Sequence, residues 1–184
     1  APTLLKNLAQ NKVDEQVAIY ERLTNRLLCA GAECVVVTSI AGHFCIEPFK
    51  AISPLHVVDM IIETDGAIAK QGYNKIGILG TKTVMETGFY GGIESAEIVP
   101  PQGESLQKVH DAYVAMATSG TVNDEQRYTF GEACSNLFDE HGVEAILLGG
   151  TDLALVYQTG NTDFPVIDCA AVHCEAIVDL ALSD

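Results

Sequence analysis

Val35-Val36-Val37-Thr38-Ser39-Ile40-Ala41-Gly42-His43 is the stretch on which the fold turns. A β-branched run stops abruptly at small polar residues, so it reads as a buried strand delivering a loop at its carboxyl end. Ala145-Ile146-Leu147-Leu148-Gly149-Gly150-Thr151-Asp152-Leu153 has the same form near the other end of the chain. Working outward, further strands are expected at 55–58, 75–79, 96–99 and 164–167, with the two quoted ones at 34–37 and 144–148. Helices are expected at 14–30, 44–51, 59–71, 83–90, 105–118, 124–141 and 170–182, from apolar residues at helical spacing and from glycine or proline stops. Strands alternate with helices, and no tight hairpin dipeptide joins two strands. That is the pattern of parallel sheets covered by helices. The strands are few and short for one large sheet. The expected architecture is therefore α/β with two small lobes, each a parallel sheet flanked by helices. A seam near 55–59 and a return near 166–169 place 1–58 plus 166–184 in the first lobe and 59–165 in the second.

The chain has 184 residues, enough for one sizeable core or two small lobes. Its net charge is −15, from 10 basic and 25 acidic residues. No Lys/Arg cluster is present to neutralise phosphate, which excludes nucleic acid as an expected partner, and an anionic membrane surface is disfavoured for the same reason. No apolar run approaches the roughly 20 residues that span a bilayer. The N-terminal stretch has no basic region followed by a long apolar one, so no signal peptide is visible. Six cysteines, at 29, 34, 45, 134, 169 and 174, read as reduced cytoplasmic thiols. Their spacings lack the paired Cys-x2-Cys of structural zinc sites, and the five histidines show no metal-type pairing, so no metal is expected. Nor is there a nucleotide-binding glycine loop or a nucleophile elbow.

In open α/β sheets, ligands sit beyond the carboxyl ends of the strands. Three such ends carry small polar residues: Thr38-Ser39, Gly80-Thr81-Lys82-Thr83 and Gly149-Gly150-Thr151-Asp152. Their hydroxyls can donate to carboxylate oxygens, and nearby helix starts favour anions. Any one of these residues could simply cap a helix. Several at successive strand ends point instead to a shared pocket for a small anion. Asp168 is read as a capping residue, and His141 before Gly142 as a cation at a helix C-terminus.

Both quoted loops resemble the signature loops of the aspartate/glutamate racemase superfamily, and within it the aspartate-racemase-like proteins. The first family loop runs roughly Cys-Asn-Thr-x-His and the second roughly Gly-Cys-Thr-Glu/His. The resemblance extends from about residue 14 to the end. It includes Ile52-Ser53-Pro54-Leu55-His56-Val57-Val58-Asp59 at the lobe crossing, Lys75-Ile76-Gly77-Ile78-Leu79-Gly80-Thr81-Lys82-Thr83-Val84-Met85, Phe89-Tyr90-Gly91, and Pro165-Val166-Ile167-Asp168 with His173. It implies a cleft between two pseudo-twofold-related lobes, no cofactor, and Cα proton transfer between two facing cysteines. This chain departs at both positions. Aligned on His43, Ser39 stands at the first thiol, with Ile40 for the asparagine and Ala41 for the threonine; aligned on Thr151, Gly150 stands at the second. The resemblance also implies an opening strand, glycine-rich loop and helix ahead of residue 1.

The expected catalytic set is therefore Ser39 and Thr38 on one side of the cleft and Gly150 and Thr151 on the other. Ile40, Ala41, Thr81, Thr83, Gly149 and Asp152 are expected to bind substrate. His43, Cys45 and Cys169 are further candidates, the two cysteines as compensating thiols. The expected function is a racemase-like isomerase of a small amino acid or dicarboxylate. The alternatives are a related cofactor-free lyase or cis–trans isomerase of a malonate- or maleate-like acid, or a small-acid binder without catalysis. A homo-oligomer is the default assembly.

Overall fold

The computed structural model describes residues 2–157 and 161–183. Positions 158–160, within the expected second lobe, lie outside them. Six parallel strands form two sheets. β1 (Cys34–Val36) pairs with β2 (His56–Val58), and a four-stranded sheet has the order β4 (Glu97–Val99), β3 (Lys75–Leu79), β5 (Ala145–Leu148), β6 (Val166–Asp168). β3 and β5 are its centre. Ile76, Ile78, Leu79 and all of Ala145–Leu148 are buried, which explains why both read as unbroken apolar runs rather than alternating ones.

Most helices fall where apolar periodicity placed them. α2 (Val13–Cys29), α3 (Ile46–Ile52), α4 (Met60–Gln71), α6 (Gly103–Ser119), α7 (Asp124–His141) and α8 (Cys169–Leu182) lie within a few residues of expectation. Their ends have local causes. The Asp59 carboxylate accepts from the Ile61 amide at 2.9 Å and starts α4. Asn123 and Gln126 form a reciprocal capping box on α7. The Asp168 carboxylate accepts from the amides of Ala170 and Ala171 and starts α8, the capping role its position suggested.

Three differences have physical reasons. α1 (Pro2–Ala9) was not anticipated; it is held by tertiary contact, Asn7 donating to Gln16 of α2 at 3.0 Å in a buried bridge. The helix expected over 83–90 is shorter: α5 (Lys82–Glu86) stops, and residues 88–91 all take positive φ. Thr87 Oγ1 donates to the Thr83 carbonyl and accepts from the Tyr90 amide, which turns the chain out of the helix. Finally, the return to the first lobe was placed at 166, but β6 is hydrogen-bonded to β5, so the larger sheet runs on to Asp168. The chain leaves it at α8, which packs on α4 and β2, and His173 Nε2 lies 2.9 Å from the Val58 carbonyl at the end of β2. α8 thus joins the two sheets.

Candidate functional site

All strands being parallel, their carboxyl-end loops carry the polar residues singled out above. The loop after β1 becomes a 3-10 helix, Ile40–Cys45. It presents Thr38 exposed, Ser39 and Ala41 half-buried, and His43 buried, whereas Ile40 is a core residue. His43 Nδ1 lies 3.0 Å from the Ser39 carbonyl oxygen. A carbonyl only accepts, so Nδ1 carries the hydrogen, and Nε2 of the neutral ring is a bare lone pair. Nε2 is buried and has no hydrogen-bond partner among the described residues. Burial pushes the His43 pKa below its usual 6.5. The Ser39 bond and the Asp59 carboxylate oppose that shift, while His173 and Lys50 reinforce it.

His43 lines a cavity of about 700 Å³ with Lys50 and Asp59 from the first sheet's side and Tyr90 from the turn after α5. Lys50 Nζ donates to Glu47 Oε1 and to Asp59 Oδ2, each at 2.9 Å. Burial works to lower the Lys50 pKa, but these two carboxylates outweigh it and raise it. The Tyr90 hydroxyl is the second buried polar atom without a partner among the described residues. Burial, and then the neighbouring Cys45, push its pKa up to about 12, so it stands as a neutral donor. Phe89 and Tyr90 have φ of 60° and 61°, a left-handed conformation that aromatic residues rarely take. Such strain costs about 1–3 kcal/mol per residue and collects at functional sites.

The second loop is built differently. Gly80 and Gly149 let the ends of β3 and β5 close: a Cβ on Gly80 would come 2.9 Å from the Gly149 carbonyl oxygen, and one on Gly149 would come 2.8 Å from that of Leu79. Gly150 then begins a 3-10 helix, Thr151–Leu155. A Cβ built on Gly150 would lie 2.6 Å from the phenol oxygen of Tyr113 in α6. The ring of Tyr113 fills the space that a side chain at this position would enter. Its hydroxyl donates to Asp152 Oδ2 at 3.1 Å, and burial together with that carboxylate raises its pKa. Asp152 therefore holds Tyr113.

The remaining expected residues have local partners. Thr81 Oγ1 accepts from the Val84 amide at 3.4 Å, a cap on α5, and Thr83 is exposed. Cys45 and Cys169 are fully buried; burial pushes their thiols up to about 11 and about 12, and Cys45 Sγ sits 3.6 Å from the Gly42 carbonyl. Both are neutral packing thiols here, in surroundings opposite to those that make a thiolate. Among the described residues no group of three or more His, Cys, Asp or Glu is placed to hold a metal.

Sequence reasoning missed Lys50, Asp59, Tyr90 and Tyr113 as site residues. Asp59 ends a strand, so the carboxyl-end rule could have found it. Tyr90 stood in the quoted Phe89-Tyr90-Gly91. Tyr113 carries no local signal, being 39 residues from the carboxylate it meets.

Parallel sheets flanked by helices, with polar residues at the carboxyl ends of the strands, define an α/β protein of the kind in which ligands bind beyond strand ends. The family model for Asp/Glu/hydantoin racemase matches residues 2–177, and the chain belongs to that family. Among solved structures, it is similar to a Yersinia pestis protein assigned to the Asp/Glu racemases, at 26% identity and a TM-score of 0.86, covering 98% of this chain and 80% of that one. An aspartate racemase homologue from Pyrococcus horikoshii shares the fold at 24% identity and TM-score 0.84, with 97% and 80% covered. Glutamate racemase from Francisella tularensis, in complex with D-glutamate, shares it at 14% identity and TM-score 0.66, with 91% and 64% covered.

Proposed function

We propose that this chain is a cofactor-independent isomerase of racemase type that moves a Cα proton of a small amino acid or dicarboxylate. Family membership supports the racemase-like class. The observation that carries the reading to this site is that the polar residues of both signature loops follow the carboxyl ends of parallel strands, β1 and β5, as 3-10 turns. Thr38, Ser39 and His43 then form one side of the site, and Gly150, Thr151 and Asp152 the other.

The Gly150 side has no thiol and no room for one, which favours a second reading: a one-faced reaction such as a lyase, or exchange with retention. Incubation in D2O with L- and D-alanine, L-serine, L-aspartate and L-glutamate separates the readings. Loss of the Cα–H NMR signal supports proton transfer, and chiral analysis then tells inversion from retention. Release of carbon dioxide from a malonate without amino-acid exchange moves the assignment to a lyase. Ligand-dependent thermal stabilisation without turnover moves it to a binder. Six unpaired cysteines suit a reducing, cytoplasmic compartment. Sedimentation would test the homo-oligomer.

A further inference from the structure

One side of α6 touches the loops that follow both central strands of the larger sheet. Lys82 opens α5, so its amide is one of those that a helix cannot satisfy from within. That amide donates to His110 Nδ1 of α6 at 3.0 Å. The Thr81 cap on Val84 is local to α5, whereas the His110 bond ties α5 to another helix. One turn further along α6, and on the same side of it, the Tyr113 hydroxyl donates to Asp152 in the turn after β5. The two loops also meet each other. The Gly149 amide donates to the Leu79 carbonyl at 2.8 Å, and neither Gly80 nor Gly149 has room for a Cβ. His110, Lys82, Gly80, Gly149, Gly150 and Tyr113 thus close a ring, with α6 as one side and the two loops as the other.

The His110 link depends on the state of the imidazole. Nδ1 accepts, so the ring is neutral with its hydrogen on Nε2; an imidazolium carries hydrogens on both nitrogens and accepts nothing. Protonation therefore removes the bond and sets a hydrogen against the Lys82 amide. The side chain is half-buried, so solvent protons reach it. Charged groups on the elements packed against this stretch of α6 set the field in which the proton is taken. Lys82 is paired with Glu86 on α5 at 3.7 Å, Asp152 is held by Tyr113, and Lys108, Asp111, Glu125 and Glu132 line the groove between α6 and α7. We propose that His110 is a positioning residue for the second side of the site. As a neutral ring it holds the loop after β3 against the loop after β5; as an imidazolium it lets go. Gly150, Thr151 and Asp152 are then fixed in place while the ring is neutral and loosened once it is protonated. The use of this latch in catalysis rests on the proposed function; its titration does not.

The experiment follows the His110 ring and the Lys82, Gly150 and Asp152 amides by nitrogen-15 NMR between about pH 8 and about pH 5, the span in which histidines titrate. It compares wild type with His110→Asn and His110→Ala. Asparagine puts its Oδ1 where Nδ1 stands, accepts from the amide and does not titrate. The expected result is that the three amides shift with the same midpoint as the ring. Hydrogen exchange of the Lys82 amide, corrected for its intrinsic pH dependence, should quicken about fivefold as the ring is protonated, the worth of one ordinary hydrogen bond. His110→Asn should keep the protection at every pH, and His110→Ala should lack it throughout. A Lys82 amide protected alike in wild type and His110→Ala, or one whose shift ignores the titration of the ring, overturns the latch. A Lys82 amide that follows the ring while Gly150 and Asp152 do not overturns the positioning of the second side. With Cα–H exchange as the readout, KM should rise about fivefold in acid for wild type and stay level for His110→Asn. A KM that rises alike in both overturns the positioning role and leaves the proposed function standing. No exchange by wild type with any amino acid of the panel sinks the proposed function, and the three amides then decide His110 alone.

Discussion

The loops after β1 and β5 are the same feature of the sequence met twice, and the folded chain treats them in opposite ways. After β1, a histidine is buried with one ring nitrogen bonded and the other, like the hydroxyl of a neighbouring strained tyrosine, without a partner among the described residues. After β5, the space beyond Gly150 is filled by the ring of Tyr113, and its hydroxyl is satisfied by Asp152. Ser39 and Gly150 stand where the resemblance places the family's cysteines. The first loop buries a ring nitrogen with no partner among the described residues, and the second is closed by packing. Hydrogen-bond satisfaction, rather than residue identity, tells the two apart: a satisfied buried group stabilises the fold, while an unsatisfied one is stability forgone.

The largest effect is expected on the first side. Asp59 is buried, caps α4 and holds Lys50, so Asp59→Ala should cost about 3 kcal/mol in chemical denaturation, because it removes a cap and half of a partly buried ion pair. A loss under half of that would mean Glu47 alone suffices for Lys50. On the second side, Gly150→Ala should cost about 2 kcal/mol from overpacking against Tyr113. The cost should shrink sharply in a Tyr113→Ala background, a coupling that a double-mutant cycle reads directly. Additive effects would show that Tyr113 is not what closes this loop. Tyr90→Phe should act with the opposite sign. Its hydroxyl has no partner among the described residues, so its removal should leave stability equal to wild type or raise it by up to about 1 kcal/mol. Clear destabilisation would reveal a bond the hydroxyl makes in solution.

The smallest effect is in pH. His43 is neutral in the fold and has its pKa depressed, so the unfolded chain binds the extra proton first as pH falls. Its contribution is complete above 6.5 and declines as pH drops from there toward the lower folded value. The groups that set this window are the Ser39 carbonyl, Asp59, His173 and Lys50. His43→Asn should flatten the melting-temperature profile in that range, and an unchanged slope would place its origin in other groups.

Much of this was readable along the chain. The strands after Cys34, Lys75 and Ala145 follow from short β-branched or aliphatic runs. The ends of α4, α7 and α8 follow from Asp59, Asn123 and Asp168, each within three residues of the amides it caps. The two loops themselves, and the family they indicate, were visible in Ser39–His43 and Gly149–Asp152. The reading failed where an interaction crosses the chain. α1 rests on Gln16 of the next helix; the turn at Tyr90 was missed for a local reason, a threonine hydroxyl three residues away that competes with the helix. The candidate residues divide in the same way. Thr81 caps, Ile40 packs, and Cys45 and Cys169 are buried as neutral thiols, because a hydroxyl or thiol acquires its role from what surrounds it.

Sequence alone determined the alternation of parallel strands and helices, the placement of polar loops at strand ends, and the presence of Ser39 and Gly150 in those loops, since these depend on residues close in sequence or on identity itself. Only the tertiary structure decided that Gly150 is closed by Tyr113 and that His43 buries a ring nitrogen with no partner among the described residues. Those facts depend on which distant side chains fill, or fail to fill, the space and the hydrogen-bonding capacity around a residue, and no local pattern encodes them.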